Sequence, residues 1–472
     1  MNKTKIVATI GPASYAKSTL TQLIRAGVNV CRLNFSHGTH EEYEKVIKIV
    51  RALNDKYNNH TAIIADLQGP KLRVGEVEND SIELVTGREL ILTTDKSIGN
   101  ETKLSINYSN LARDVKKGDD IKIDDGKIVL EVLSTDKKKS IRAKIVQGGT
   151  LFSNKGFNLP NTNISLPSVT KKDLKDLDFA LKHKIEWIAL SFVRTAAGIK
   201  RVKKIIEKRK STAKVIAKIE KPQAIDNIDT IIEAADGIMV ARGDLGVEIP
   251  MQSVPLIQKR IVKKARQASK PVIIATQLME SMMTSLTPSR ADVNDVANSV
   301  MDGADAVMLS AETSLGKHPV EVIKAIHKIV KEAESFEDIY HQYAYPDPND
   351  KRYISDSICF NANTLARRVN AKAIVTMSFS GYTGRKVSSY RPSANTFVFT
   401  ANRSILNMLS LIWGVRGFYY EKFTGTDETI ADIMKQLKKE KLVKTGDLII
   451  NIASMPIGEK GKSNMLKLSK VD

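Results

Sequence analysis

KVIAKIEKPQAIDNIDTIIEAADGIMVARGDLG, residues 214–246, carries the pattern on which the fold turns. Two short β-branched runs, KVIAKIE (214–220) and GIMVARGD (237–244), end in charged residues, and a helical pattern separates them. Neither run alternates apolar with polar, so each reads as a strand covered on both faces, the habit of parallel sheets with helical crossovers. Working outward, the same unit recurs. KIVATIG (5–11), VNVCRLNFS (28–36), TAIIADLQG (61–69) and WIALSFV (187–193) precede it, and PVIIATQ (271–277) and AVMLSAE (306–312) follow. Amphipathic segments such as STLTQLIRAG, EEYEKVIKIVRAL, DLKDLDFALKH and DVNDVANSVMDG lie between. Eight such runs in succession predict a closed (β/α)8 TIM barrel. An open doubly wound sheet is the alternative that the pattern alone leaves.

The spacing breaks once. Between the third run and the helical pattern at 171–184 lie SIELVTG, RELILTT, DIKIDDGKIVLEVL and SIRAKIVQGG, alternating strand patterns with turn residues between them. They predict a small antiparallel β-barrel lid domain inserted after strand three. Loops after barrel strands open on the C-terminal face, so a domain there is placed to act as a lid. PDPND breaks the pattern again near Tyr345, and a helix (352–369) with the runs AKAIVTMS, NTFVFT and DLIINIAS predicts a C-terminal α/β domain. The expected division is 1–70 and 168–343 for the barrel, 71–167 for the lid and 344–472 for the C-terminal domain.

Composition narrows the class. The chain has 472 residues, too many for one ordinary core, and its apolar share of 42% is that of a globular protein. MNKTKIVATIG begins with a short strand pattern rather than a signal peptide, and no apolar run approaches the roughly 18 residues of a membrane span. Cys31 and Cys359 lie far apart, as expected of a reducing cytoplasm. The net charge of +20 raises nucleic-acid binding, but the lysines are scattered and aromatics are only 6%. A basic surface that attracts small anions is the better reading, with no nucleic-acid partner and no membrane.

The strand ends are polar in a concerted way. Strand two delivers Arg32, Asn34, Ser36 and His37, strand three Asp66, strand five Lys218 and Glu220. Strand six delivers Arg242, Gly243 and Asp244, strand seven Thr276 and Gln277, strand eight Ser310 and Glu312. Each alone reads as a satisfied buried polar group; together at one mouth they predict a binding site. Lys218 and Glu220, two apart, share a side of their strand, and an ion pair is the plain reading. With Asp244 from the next strand, the two carboxylates also suit Mg²⁺ or Mn²⁺, leaving Lys218 to face a developing oxyanion. GDLG, ahead of PMQSVPLIQKRI, offers backbone N–H groups at a helix start. With Arg32 and Arg73, the site suits a small anion bearing carboxylate and phosphate. The Thr276 hydroxyl is placed to relay a proton, through water, to Ser310 and Glu312.

The motifs IVATIGPAS, CRLNFSHGTHEEY, AKIEKPQAIDNID, ADGIMVARGDLGVEIP, ATQLMESM, PSRADVNDVANSVMDGADAVMLSAETSLGKHPVEV and YRPSANTFVFT resemble those of pyruvate kinases, in order over nearly the whole chain. The resemblance implies phosphoryl transfer from phosphoenolpyruvate to ADP, giving pyruvate and ATP, the last step of glycolysis, in the cytoplasm. It implies that Arg32, Lys218, Gly243, Asp244 and Thr276 contact phosphoenolpyruvate and that Glu220 and Asp244 hold Mg²⁺ or Mn²⁺. Asn34, His37, Arg73 and Lys155 match residues near the nucleotide phosphates. A homotetramer is implied too. Two other readings stay open at this point: a metal-dependent barrel lyase or aldolase acting on a pyruvate enolate, which needs no nucleotide lid, and a non-catalytic basic binding protein, which predicts lost site residues.

Two segments depart from the resemblance. In ADLQGPKLRVG (65–75), potassium-requiring members usually read Asp-Thr-Lys-Gly-Pro-Glu-Ile-Arg-Thr, and their K⁺ pocket matches Asn34, Ser36, Asp66 and the carbonyl of Leu67. Here Lys71 stands in place of the glutamate, with Leu67, Gln68 and Val74 around it, which resembles the K⁺-independent branch. The lysine head can stand in for the missing ion; alternatively Lys71 is a solvated hinge residue and K⁺ still binds at Asp66. In SFSGYTGRKVSSYRP (378–392), Ser378, Ser380, Thr383 and Gly384 resemble an effector loop for a phosphorylated ligand, though a serine-rich turn capping a helix explains them as well. The last loop, IGEKGKSN (457–464), lacks the usual Gly-Thr-Thr, which leaves the effector's identity open.

Overall fold

A computed structural model describes residues 2–160, 162, 164–422, 425–456 and 462–472. Eight strands close into a parallel barrel: β1 (Lys5–Thr9), β2 (Val30–Asn34), β3 (Ala62–Asp66), β4 (Trp187–Leu190), β5 (Lys214–Ile219), β6 (Gly237–Ala241), β7 (Val272–Ala275) and β8 (Ala306–Leu309). Each pairs with its sequence neighbours, and β8 closes on β1 with Lys5 opposite Ala306. The absence of polar alternation has a direct cause. Ile6 and Ala8 pack against the surrounding helices while Val7 fills the barrel interior, so successive side chains on one strand enter two different cores. Helix starts follow local chemistry: Thr39 with Glu42, Thr170 with Asp173 and Ser289 with Asp292 each form a capping box.

The segment after β3 folds around one apolar core that includes Leu84, Leu92, Leu104, Ile121, Leu130 and Leu151. A two-stranded sheet (Ser81–Leu84 with Gly149–Phe152) and a six-stranded sheet share it. All pairings are antiparallel except Glu89–Thr93 with Lys103–Ser105. This lid rests on the helix that follows β6, where Lys122 Nζ donates to the Val247 carbonyl at 2.6 Å.

The C-terminal unit is a five-stranded sheet in the order β11-β10-β9-β12-β13, with β9 (Ala373–Met377), β10 (Asn395–Thr400), β11 (Val415–Tyr419), β12 (Leu448–Ala453) and β13 (Met465–Lys470). Only the β12–β13 pair is antiparallel. Ile405, Met408, Leu409, Leu411, Ile412 and Val415 belong to the same core as the barrel interior. This unit therefore plugs one end of the barrel, and the strand ends open at the other.

Candidate active site

The polar strand ends form one connected network. The Arg32 guanidinium grips Asp66 Oδ2 through Nε at 2.8 Å and Nη2 at 2.7 Å, and its Nη1 donates to Thr9 Oγ1 at 2.9 Å. Lys218 Nζ reaches Asp66 Oδ1 at 3.1 Å and Glu220 Oε1 at 3.0 Å, and donates to Ser191 Oγ at 2.7 Å. Ser191 in turn donates to the Leu67 carbonyl at 2.7 Å, and the Phe192 amide donates to Glu220 Oε2 at 2.6 Å. Burial alone would depress the Lys218 ammonium, but Asp66 and Glu220 more than offset it and hold it above the ordinary lysine range. Asp66 answers in kind. Burial works to raise its carboxyl, yet Lys218 and Arg32 keep it below the usual range.

Glu220 and Asp244 behave differently. Burial pushes both carboxyls up, and the charge of Asp244 adds to the rise at Glu220. Glu220 is buried and Asp244 half-buried, within electrostatic reach of each other, and with Lys218 already shared with Asp66 they leave a deficit of positive charge. A divalent hard cation fits that deficit. Among the described residues no group of three or more His, Cys, Asp or Glu gathers as a metal site. Mg²⁺ keeps several waters and takes substrate oxygens, so one or two protein carboxylates suit it.

Across the mouth, Thr276 and Gln277 are left-handed, with φ of 72° and 57°. For a β-branched residue such as Thr276 this is a genuine outlier, costing on the order of 1–3 kcal/mol, and such strain clusters at functional sites. The strained turn is held from two sides. The Gly243 amide donates to Thr276 Oγ1 at 2.7 Å, and Arg242, clamped on Asp295 at 2.5 and 2.6 Å, donates to the Thr276 carbonyl at 2.7 Å. GDLG does not precede its helix as the sequence suggested. It lies inside a short helix, Arg242–Glu248, that begins directly at the end of β6, so the Gly243 amide belongs to the first turn and is already engaged.

The arrangement offers a cationic cradle of Arg32 and Lys218, a carboxylate pair fit for a divalent ion and a strained hydroxyl turn, all under a lid. Family models match it. The model described as pyruvate kinase, barrel domain, covers residues 1–323, and that described as pyruvate kinase, alpha/beta domain, covers 356–469. The chain belongs to the pyruvate kinase family. It is 40% identical over 470 residues to pyruvate kinase of Bacillus licheniformis, covering 99% of this chain and 80% of that protein. It is 40% identical over 474 residues to that of Clostridium acetobutylicum, covering 100% of both. A crystal structure of a pyruvate kinase from Cryptosporidium parvum superposes with a TM-score of 0.93 at 35% identity, over 100% of this chain and 96% of that one. Among the described residues no helix is long and apolar enough to cross a membrane.

The pyruvate kinase frame shows where the remaining expected residues fall. His37 is held below the usual imidazole range by burial first and then by Lys71, Arg73 and Arg32, so these cations share the mouth. Asn34 Oδ1 accepts from the Ser36 amide at 3.3 Å. Arg73 donates to the Asn154 carbonyl at 2.6 Å, and Lys155 pairs with Asp124 at 2.9 Å, so both hold the lid to itself. Among the described residues Lys71 joins no ion pair; burial, then Arg73, hold its ammonium below the ordinary lysine range, while Asp244 and Asp125 act against them. Glu312 accepts from the amides of Ser310 at 2.7 Å and Met279 at 3.2 Å, and the Thr276 hydroxyl donates to the Ala275 carbonyl at 2.5 Å. Among the described residues no hydrogen bond links Thr276 to Ser310 or Glu312.

In the C-terminal unit, Ser378 Oγ accepts from the Gly381 amide at 3.0 Å and Ser380 Oγ from the Tyr382 amide at 3.3 Å, at the start of the helix Tyr382–Ser389. Thr383 Oγ1 meets Ser463 Oγ at 2.9 Å, and a Cβ on Gly384 would lie 2.5 Å from Val398 Cγ2, so that glycine allows the helix to seat on β10. Residues 457–461 of the last loop lie outside the described residues. Sequence reasoning passed over Ser191, Thr9 and Phe192. Ser191 had a signal, since it ends the run WIALS as Asp66 ends TAIIAD. The left-handed backbone of Phe192, with φ of 53°, had none.

Proposed function

We propose that this site transfers the phosphoryl group of phosphoenolpyruvate to ADP and then protonates the enolate to pyruvate. The supporting observation is the position of Lys218, a buried cation held between Asp66 and Glu220 at the barrel mouth. In this reading Arg32 and Lys218 receive the substrate phosphate and the bridging oxygen. The Lys218 ammonium, kept protonated by its two carboxylates, opposes the negative charge that develops on the enolate oxygen as phosphoryl leaves. Gly243, Asp244 and Thr276 orient the substrate carboxylate and shield it from water, and Thr276 stands in the proton-delivery path that continues through solvent towards Ser310 and Glu312. Glu220 and Asp244 hold Mg²⁺ or Mn²⁺, which when bound supplies positive charge to the phosphoryl and carboxylate oxygens. Asn34, His37, Arg73 and Lys155 serve the nucleotide phosphates as the lid closes.

We further divide the chain into a catalytic barrel (1–70 and 168–343), a lid (71–167) and a C-terminal regulatory part (344–472), in a cytoplasmic homotetramer. Ser378, Ser380, Thr383 and Gly384 take a phosphorylated effector in this reading. Titrating sugar phosphates and nucleoside monophosphates against activity tests that role, and no response to any of them assigns these residues to helix capping alone. K⁺ is not required, because Asp66 is already occupied by Arg32 and Lys218 while Lys71 adds a cation beside Asp244. A coupled assay for pyruvate formation, run with and without ADP, tests the reaction itself. ADP-independent pyruvate release would point instead to a lyase.

A further inference from the structure

At the opposite end of the barrel, where it meets the C-terminal unit, positive charge gathers again. A small cavity there is lined by Arg266, Lys270, Asp305, Arg385, Ser389 and Arg391 among others, four cations against one acid. The acid is already spent. Asp305 pairs with Arg391 through both oxygens, at 3.3 and 3.0 Å, and accepts the amides of Val272 at 3.0 Å and Trp413 at 3.2 Å. Lys270 donates to the Ala235 carbonyl at 2.6 Å, which satisfies a proton, and Asp236 offsets only part of its charge. Among the described residues the Arg266 side chain donates no hydrogen bond and joins no ion pair. Arg385 Nε and Arg391 Nε are buried with no partner among the described residues. Burial, with Arg391 adding to it, holds the Arg266 guanidinium down to about 10; burial, despite Asp236 and with Arg385 among the opposing cations, holds Lys270 down to about 8.

Buried donors without acceptors and like charges at close quarters are both costly, and one anion relieves both. We propose that this cavity binds a single chloride ion, which ties the barrel to the C-terminal unit. Arg266 and Lys270 come from the barrel side, at the end of the helix Val254–Gln267 and just before β7; Arg385 and Arg391 come from the C-terminal side, on and just after the helix Tyr382–Ser389. The free space, about 10 Å³, is that of roughly one water molecule, so orthophosphate is excluded along with nucleotides and sugar phosphates, and a monatomic anion fits. The site is separate from Ser378 and Ser380, whose hydroxyls serve the other end of that helix.

Thermal unfolding of the full chain in gluconate, an anion too large for the cavity, with chloride titrated in, tests this. The wild type is expected to show a saturable rise in Tm that Arg266→Gln/Arg385→Gln lacks. In gluconate alone the double variant is expected to be at least as stable as the wild type, because repulsion is relieved. The active site contributes equally to both proteins, so the difference between them reads the cavity. Arg266→Gln alone, at a half-buried position, serves if the double variant does not fold. Crystals soaked in bromide identify the occupant, since an anomalous peak in the cavity marks a halide site. No bromide peak there, or an equal Tm rise in the variant, overturns the proposal.

Discussion

Lys218 Nζ stands 3.0 Å from Glu220 Oε1, and the two charges sit buried together at the end of β5. The pair is not a closed unit. Lys218 also serves Asp66, and Glu220 also feels Asp244, so each member is committed to more than the other. A lysine so surrounded stays charged through the neutral range, and its carboxylate partner retains capacity for a further cation.

Replacing that lysine separates chemistry from folding. Lys218→Met removes the preorganised cation at the developing oxyanion and is expected to lower kcat by at least about a hundredfold. Asp66 keeps Arg32, so the native circular dichroism spectrum is expected to persist. Near-normal turnover in a folded variant would remove Lys218 from the mechanism.

Glu220→Gln and Asp244→Asn should each weaken Mn²⁺ binding, read by electron paramagnetic resonance without any turnover. The loss is expected to exceed the about 10–100-fold that changes behind a ligand cause, because in the proposed reading these carboxylates hold the ion directly. Unchanged Mn²⁺ affinity in both variants would place the metal elsewhere.

The lid has a specific latch. Asn158 Nδ2 donates to Glu248 Oε1 at 2.6 Å, and Lys221 pairs with the same carboxylate, whose other oxygen is buried without a partner among the described residues. A hydrogen bond to a charged group is worth about 1.5–3 kcal/mol, so Asn158→Ala is expected to raise the KM for ADP by about tenfold or more while changing kcat little. An unaltered KM would mean that lid closure does not use this contact.

The barrel was legible because its strands feed two cores at once, as Val7 and its neighbours Ile6 and Ala8 do, which leaves runs with no polar interruption. The charged strand ends were legible for the opposite reason, since Asp66, Lys218 and Glu220 interrupt runs that packing alone would keep apolar. The edge strands β11 and β13 were not. VRGFY contains a glycine and an arginine, and MLKLSK carries the lysines that protect an open edge, so neither reads as a buried run. The Asn158–Glu248 latch joins residues 90 apart across two units, a relationship that no local pattern encodes. GDLG does supply a helix start, but that of the short helix Arg242–Glu248, which begins directly after the last strand residue and leaves no loop to recognise.

Lys71 supports the last expectation. It sits at the lid hinge beside Arg73, in the field of Asp244 and Asp125, and joins no ion pair among the described residues. Replacing a carboxylate by an ammonium changes the local charge by two units, enough for a protein cation to do what a monovalent ion does elsewhere. Activity is therefore expected to be high in buffer free of sodium and potassium, with slight stimulation by K⁺ near neutral pH. Burial, then Arg73, hold the Lys71 ammonium below the ordinary lysine range, so it gives up its proton earlier than other lysines as pH rises. Stimulation by K⁺ should accordingly grow on the alkaline side, where the ammonium is lost, and fade on the acid side, where it is complete. Lys71→Glu should depend on K⁺ at every pH at which it is active. Initial rates measured across pH in tetramethylammonium buffer, with K⁺ added or withheld, check all three statements. A wild-type enzyme nearly inactive without K⁺ would show that Lys71 does not take the place of the ion.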